Sequence, residues 1–221
     1  VFVFSIINWN FRHQRPQHIS EGLSKLGRRV FYIEMDLTNG EHQISKISKN
    51  LYVVRISKKD IGHIQPYTGI PSKDQLTAWI KGVFQICNII NSTNLKDVII
   101  QHPFWWQLTQ HLPPEFRITF DCMDDISGFS NTENFLLDLE LDLLKNCDNL
   151  VVSSQFLFDK YKKFNVPNLV RNGADVSNFD IHKEHADFPN LHHFPETNSK
   201  SIKVGYVGAI AEWFDVNLVR K

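Results

Sequence analysis

The first 34 residues constrain the fold more than any other stretch of this 221-residue chain. Residues 1–7 (VFVFSII) are an apolar run rich in β-branched and aromatic side chains, the composition of a strand buried on both faces. From Pro16 the period changes. Ile19, Leu23 and Leu26 recur at helical spacing, Pro16 suits the first helical position, and Gly27 stands where a left-handed cap ends a helix. Residues 30–33 (VFYI) make a second strand. Strand, helix and strand in so short a span form a right-handed βαβ crossover, so the two strands lie parallel in one sheet.

The turn inside that unit packs Trp9, Phe11, Arg12, His13, Gln14 and Arg15 into a connection that ordinarily needs about two to six residues. Open parallel sheets bind ligands in the crevice beyond the carboxyl ends of their strands. A long aromatic and cationic turn at that place therefore marks a candidate site.

The alternation continues downstream. Strands are expected at 51–56, 98–100, 117–120, 150–152 and 169–170. Ser72 caps a helix that carries Leu76, Ile80, Val83, Phe84, Cys87 and Ile90 on one face, and further helices are expected over 133–145 and 156–164. The strand at 98–100 runs into His102, Pro103, Phe104, Trp105 and Trp106; adjacent tryptophans either wall an apolar pocket or plug the core. The strand at 117–120 runs into Asp121, Asp124 and Asp125. Three carboxylates so close together supply a base, a hydrogen-bond acceptor or ligands for a hard cation, and equally suit a turn that bonds its own backbone.

Composition narrows the partners. With 24 basic and 24 acidic residues the formal net charge is zero, which leaves no nucleic-acid footprint. Cys87, Cys122 and Cys147 are far apart and form no CxxC pair, the usage of reduced thiols in a cytoplasmic protein. The apolar start is too short to span a bilayer. The polar segment 176–201 gathers His182, His185, His192 and His193, but at spacings that match no familiar ligand signature; it reads as a linker, and no metal site is expected. Residues 202–207 (IKVGYV) restart a strand, with Gly208 and Ala209 in the turn after it. The expected organisation is a Rossmann-like α/β domain over 1–171, a hinge over 172–201, and the first strand and turn of a second α/β domain over 202–221. Twenty residues cannot bury a core of their own, so the chain is expected to be a fragment.

Taken in order, the FRHQRPQH turn, GRRVFYIE, TFDCMDD, NLVVSSQFLFDKYKKF, NGADVSNF and VGYVGAIAEWFD resemble a bacterial glycosyltransferase of the GT-B fold, close to the family-four-like group. The resemblance covers nearly the whole chain. It implies a Rossmann-like parallel sheet on the acceptor side, a donor domain that begins near Gly208, and transfer of a sugar from a nucleoside-diphosphate sugar to a hydroxyl of a sugar or lipid-linked glycan. It implies no tightly bound cofactor, no catalysis by this fragment alone, and a role at the inner membrane face, by peripheral contact, in envelope or capsule polysaccharide synthesis. Carried onto this chain, it makes His18 and Asp124 the catalytic candidates. Arg12, Arg15, Gln17, Asp125 and Trp105 become candidates for acceptor or phosphate binding, and Gly208 and Ala209 for the donor diphosphate. One departure is plain: many family-four members have a glycine-rich turn after the first strand, and the NWNFRHQRPQ turn has no glycine. Two other readings fit the pattern, a sugar-nucleotide 2-epimerase of the same fold and a non-catalytic Rossmann-like binding module. No GxGxxG follows any expected strand, which weakens a dinucleotide-binding form of the module.

Overall fold

The computed structural model describes residues 1–59, 61–62, 64, 69–89, 97–174, 205–206, 208, 210 and 214–220. The chain divides into two units, Val1–Ala174 and Asp175–Lys221.

The first unit is an eight-stranded sheet flanked by helices. Its strands are β1 (Phe2–Phe4), β2 (Val30–Ile33), β3 (Gln43–Ser48), β4 (Leu51–Arg55), β5 (Asp97–Ile100), β6 (Arg117–Cys122), β7 (Asn149–Val152) and β8 (Pro167–Leu169). They lie in the order β3-β4-β2-β1-β5-β6-β7-β8. Every neighbouring pair is parallel except β3 with β4, so the architecture is Rossmann-like with one antiparallel edge strand. Sequence periodicity missed β3. Its side chains are almost all exposed, and an edge strand that buries nothing carries no apolar alternation to detect. The helices of this unit are α1 (Arg15–Lys25), α2 (Lys73–Ile89), α3 (Trp106–Thr109), α4 (Asn134–Asn146) and α5 (Gln155–Tyr161).

Alternate residues of the central strands feed two cores. Phe2, Phe4, Phe31, Ile33 and Val54 join the larger one beside Trp79, Trp105 and Leu143, whereas Val3, Val30, Tyr32, Leu51 and Val53 join a smaller one on the other face, where Trp9 and Leu23 pack. The helix faces differ from the expected ones. On α1 the buried residues are Arg15, Pro16, Gln17, Ser20 and Ser24, while Leu26 is exposed. Small hydroxyl residues let this helix sit close to the sheet, with Ser20 Oγ donating to the Pro16 carbonyl at 2.8 Å. On α2 the fully buried line is Trp79, Val83 and Ile86, so the face is rotated from the one centred on Leu76, Ile80 and Phe84, which are half-buried. Gly82 lies on that line because a Cβ there would stand 2.9 Å from Ile56 Cγ2.

Caps follow the sequence more closely. Ser72 and Gln75 cap α2 reciprocally, each side chain accepting from the other's backbone N–H. At the end of α1, Gly27 has φ +81, its N–H donates to Ser24 and that of Arg28 to Leu23, which is a Schellman ending. Among the described residues no helix is long and apolar enough to cross a membrane. Cys122 and Cys147 are buried and free.

In the second unit, α6 (Val216–Val219) is capped by Asp215, whose carboxylate accepts from the N–H groups of Asn217 and Leu218. The Tyr206 ring packs against Phe214 with centroids 4.8 Å apart. The linker histidines, and most of the strand expected at 202–207, fall outside the described residues.

Candidate functional site

The sheet order reverses at β1, which has β2 on one side and β5 on the other. Helical crossovers on either side of such a point diverge, leaving a crevice at the carboxyl ends of the two strands. A cleft of about 380 Å³ opens there. Ile6, Ile7, Phe11, Arg12 and Gln14 line it from the turn after β1, Gln101, His102 and Pro103 from that after β5, and Met123, Asp124, Ile126 and Phe129 from beyond β6.

The long turn after β1 is held from several directions. Buried Gln17 donates from Nε2 to the carbonyl of Arg12 at 2.8 Å and, more loosely, to those of Asn8 and Trp9, while its Oε1 accepts from the Gln14 N–H. From the end of β2, buried Glu34 accepts from the Trp9 N–H at 2.6 Å and from Arg55, and the Tyr32 hydroxyl donates to the Ile7 carbonyl. Gln17, expected at the acceptor or phosphate, thus has its side-chain amide taken up by backbone.

Arg15 has a similar fate. It is 8% exposed, and its guanidinium donates to Asp121 through Nε at 3.0 Å and Nη2 at 2.7 Å, and through Nη1 to Asn172 Oδ1 at 3.1 Å. Where a phosphate was expected, a buried carboxylate stands. Asp121 also accepts from Gln101 Nε2 at 2.9 Å. That bond fixes the Gln101 amide orientation and leaves its Oε1 buried in the cleft wall without a hydrogen-bond partner among the described residues. Trp105 is fully buried against Phe4, Trp79 and Phe104 and belongs to the core rather than the cleft.

The remaining candidates sit at the rim or beside it. Arg12 is exposed and its guanidinium lies 5.0 Å from the centre of the Phe11 ring, itself 67% exposed. Asp124 is exposed as a residue, yet the protein around its carboxyl raises its pKa, and no described side chain pairs with it. Asp125 is neutralised: although partial burial alone would raise its pKa, the bonds from Lys160 and Ser127 lower it. His18 is exposed on the first turn of α1, beside His13 and outside the cleft lining.

Gln101, His102 and Phe129 complete the cleft, and sequence reasoning did not single them out as site residues. His102 is buried, which lowers its pKa to about 4, so the ring is neutral at physiological pH. Its Nδ1 accepts from the Phe104 N–H at 3.2 Å, which assigns the proton to Nε2. The available signal was position directly after a strand, and it becomes decisive only once β5 is known to neighbour β1.

In the second unit, Gly208 stands where a Cβ would fall 2.6 Å from the Tyr206 hydroxyl oxygen; Ala209 lies outside the described residues.

Comparison with known proteins bears on the fold. No protein-family model matches the chain, and no curated protein matches it in sequence. Among solved structures it is similar to a sucrose-phosphate synthase structure from Thermosynechococcus elongatus, at 14% identity and a TM-score of 0.55 over 81% of this chain and 92% of that one. A second structure of the same enzyme matches at 14% identity and a TM-score of 0.57, over 80% of this chain and 48% of that one, so the chain spans about half of its length. The fold is therefore the Rossmann-like α/β fold of these GT-B neighbours.

Proposed function

We propose that the chain supplies the acceptor-side lobe of a glycosyltransferase, and that the cleft at the sheet reversal binds the acceptor sugar. The observation that carries this reading is Gln101 Oε1, a buried acceptor in the cleft wall without a hydrogen-bond partner among the described residues. An unsatisfied buried acceptor costs about 1–3 kcal/mol, a cost that a ligand hydroxyl relieves. A sugar hydroxyl donates to such an acceptor, which a purely anionic or apolar ligand cannot do. Phe11 and Phe129, both exposed at the cleft, offer apolar faces to the ring.

Asp124 is the proton acceptor for the attacking hydroxyl, since a carboxylate with a raised pKa and no cationic partner is a stronger base than its neighbour Asp125. Arg12 offers its charge to the leaving diphosphate or to an anionic acceptor. Gly208 and Ala209 contact the donor diphosphate, as the family resemblance implies. The donor is a nucleoside-diphosphate hexose, as in the family-four-like group, and the product belongs to a bacterial envelope or capsule polysaccharide assembled at the inner membrane face.

The test has two arms. On the 221-residue chain, titration with oligosaccharides is expected to perturb Gln101 and His102 resonances, and D124N and Q101L to weaken binding, without turnover. On a chain that includes a whole donor lobe, transfer should release nucleotide and glycoside together. An altered nucleotide sugar with no glycoside would identify a 2-epimerase instead, and stabilisation by NAD alone would identify a dinucleotide-binding module.

A further inference from the structure

Beside the cleft, and not used by the chemistry above, His13, His18 and Glu21 form a group in which one ligand atom from each lies within 4.8 Å of the other two. We infer that these three residues bind a divalent transition-metal ion, of the Zn²⁺, Co²⁺ or Ni²⁺ class, at the junction of the β1 turn and α1.

The backbone builds the site. His18 and Glu21 are three apart on α1 and therefore share a face, and His13 closes on them from the last residues of the turn. His13 Nδ1 and His18 Nε2 are 3.4 Å apart, with the rings edge to face. Ligands held about 2.0–2.1 Å from a tetrahedral zinc ion are about 3.3–3.4 Å from one another, so this pair already spans one tetrahedral edge. Glu21 Oε1 stands 3.0 Å from His13 Nε2, and rotation of its half-exposed side chain moves a carboxylate oxygen between second-shell partner and direct ligand. Two imidazoles and one carboxylate favour borderline metals over Mg²⁺ or Ca²⁺, which take oxygen ligands.

The consequence is local. Arg12 and Gln14, which flank His13, line the cleft, so an ion held between His13 and α1 pins the cationic rim of the acceptor site.

Cobalt(II) titration of the 221-residue chain near neutral pH tests the inference. Visible bands of a four- or five-coordinate ion should saturate at one ion per chain and be bleached by Zn²⁺, but not by Mg²⁺. H13A and H18A should each weaken Co²⁺ binding at least about tenfold, and E21Q by about 10–100-fold if it acts from the second shell. Metal-free thermal melting should be unchanged in H13A and H18A, because both rings are exposed. The unmutated protein gives an independent reading: the imidazole resonances of His13 and His18 should move first on addition of Zn²⁺. Undiminished Co²⁺ binding by the H13A/H18A variant overturns the assignment. So does loss of binding in H182Q/H185Q/H192Q/H193Q, which would move the ion to that segment.

Discussion

Arg12, in the turn after β1, and Arg15, at the start of α1, are three residues apart, as are Asp121, near the end of β6, and Asp124 just beyond it, yet each pair is split between two environments. Arg15 and Asp121 are buried and bonded to each other, whereas Arg12 and Asp124 are exposed at the cleft. The buried pair joins the start of α1 to the end of β6 and, through Gln101, to the end of β5, and so sets the distance between cleft walls. The exposed pair keeps its charge free for a ligand. Charge held in the wall defines shape, and charge held at the rim is left for chemistry.

The largest effect expected from breaking this contrast is in the wall. Asp121→Ala leaves the Arg15 guanidinium buried beside an empty site and should cost about 3–5 kcal/mol in urea denaturation. Replacing both partners by apolar residues of similar volume should cost much less, because the penalty comes from the orphaned charge rather than from loss of the pair. Equal losses in the single and double variants would break the distinction.

Next is the pH response of two buried groups, Glu140 on α4 and His102 in the cleft wall. Burial pushes Glu140 up from 4.5 to about 7, so the folded chain binds that proton more tightly than the unfolded chain. Its contribution is whole below the ordinary glutamate range and is lost as pH rises through about 7, a change of up to about 3 kcal/mol. His102 has the opposite sign. Its folded pKa is lowered from 6.5 to about 4, so its contribution is whole above the ordinary histidine value and fades as pH falls through that window. The two windows overlap between about 4.5 and 6.5 and oppose one another there, so E140Q should remove the loss of stability toward pH 7 and leave stability rising with pH from about 4 to about 6.5.

A smaller loss is expected from Gln17→Ala, about 1–3 kcal/mol, since three turn carbonyls lose a buried donor. Amide exchange over residues 8–14 should rise with it. Least of all, Arg12→Ala should change stability by no more than about 0.5 kcal/mol while weakening capture of anionic ligands. A large destabilisation by Arg12→Ala would place that residue in the wall.

The sequence carried the parallel α/β architecture because alternating strand and helix periods, with the caps at Ser72 and Gly27, are local signals that the backbone must obey. It also marked the turn after β1 and the carboxylates after β6 as unusual. It did not tell Arg12 from Arg15, Asp121 from Asp124, or Trp105 in the core from a pocket wall, since burial depends on neighbours distant along the chain; Arg15 and Asp121 are 106 residues apart. Only the tertiary structure, by placing β5 next to β1, put Gln101 and His102 in the cleft, because strand order is a long-range pairing that no local period encodes.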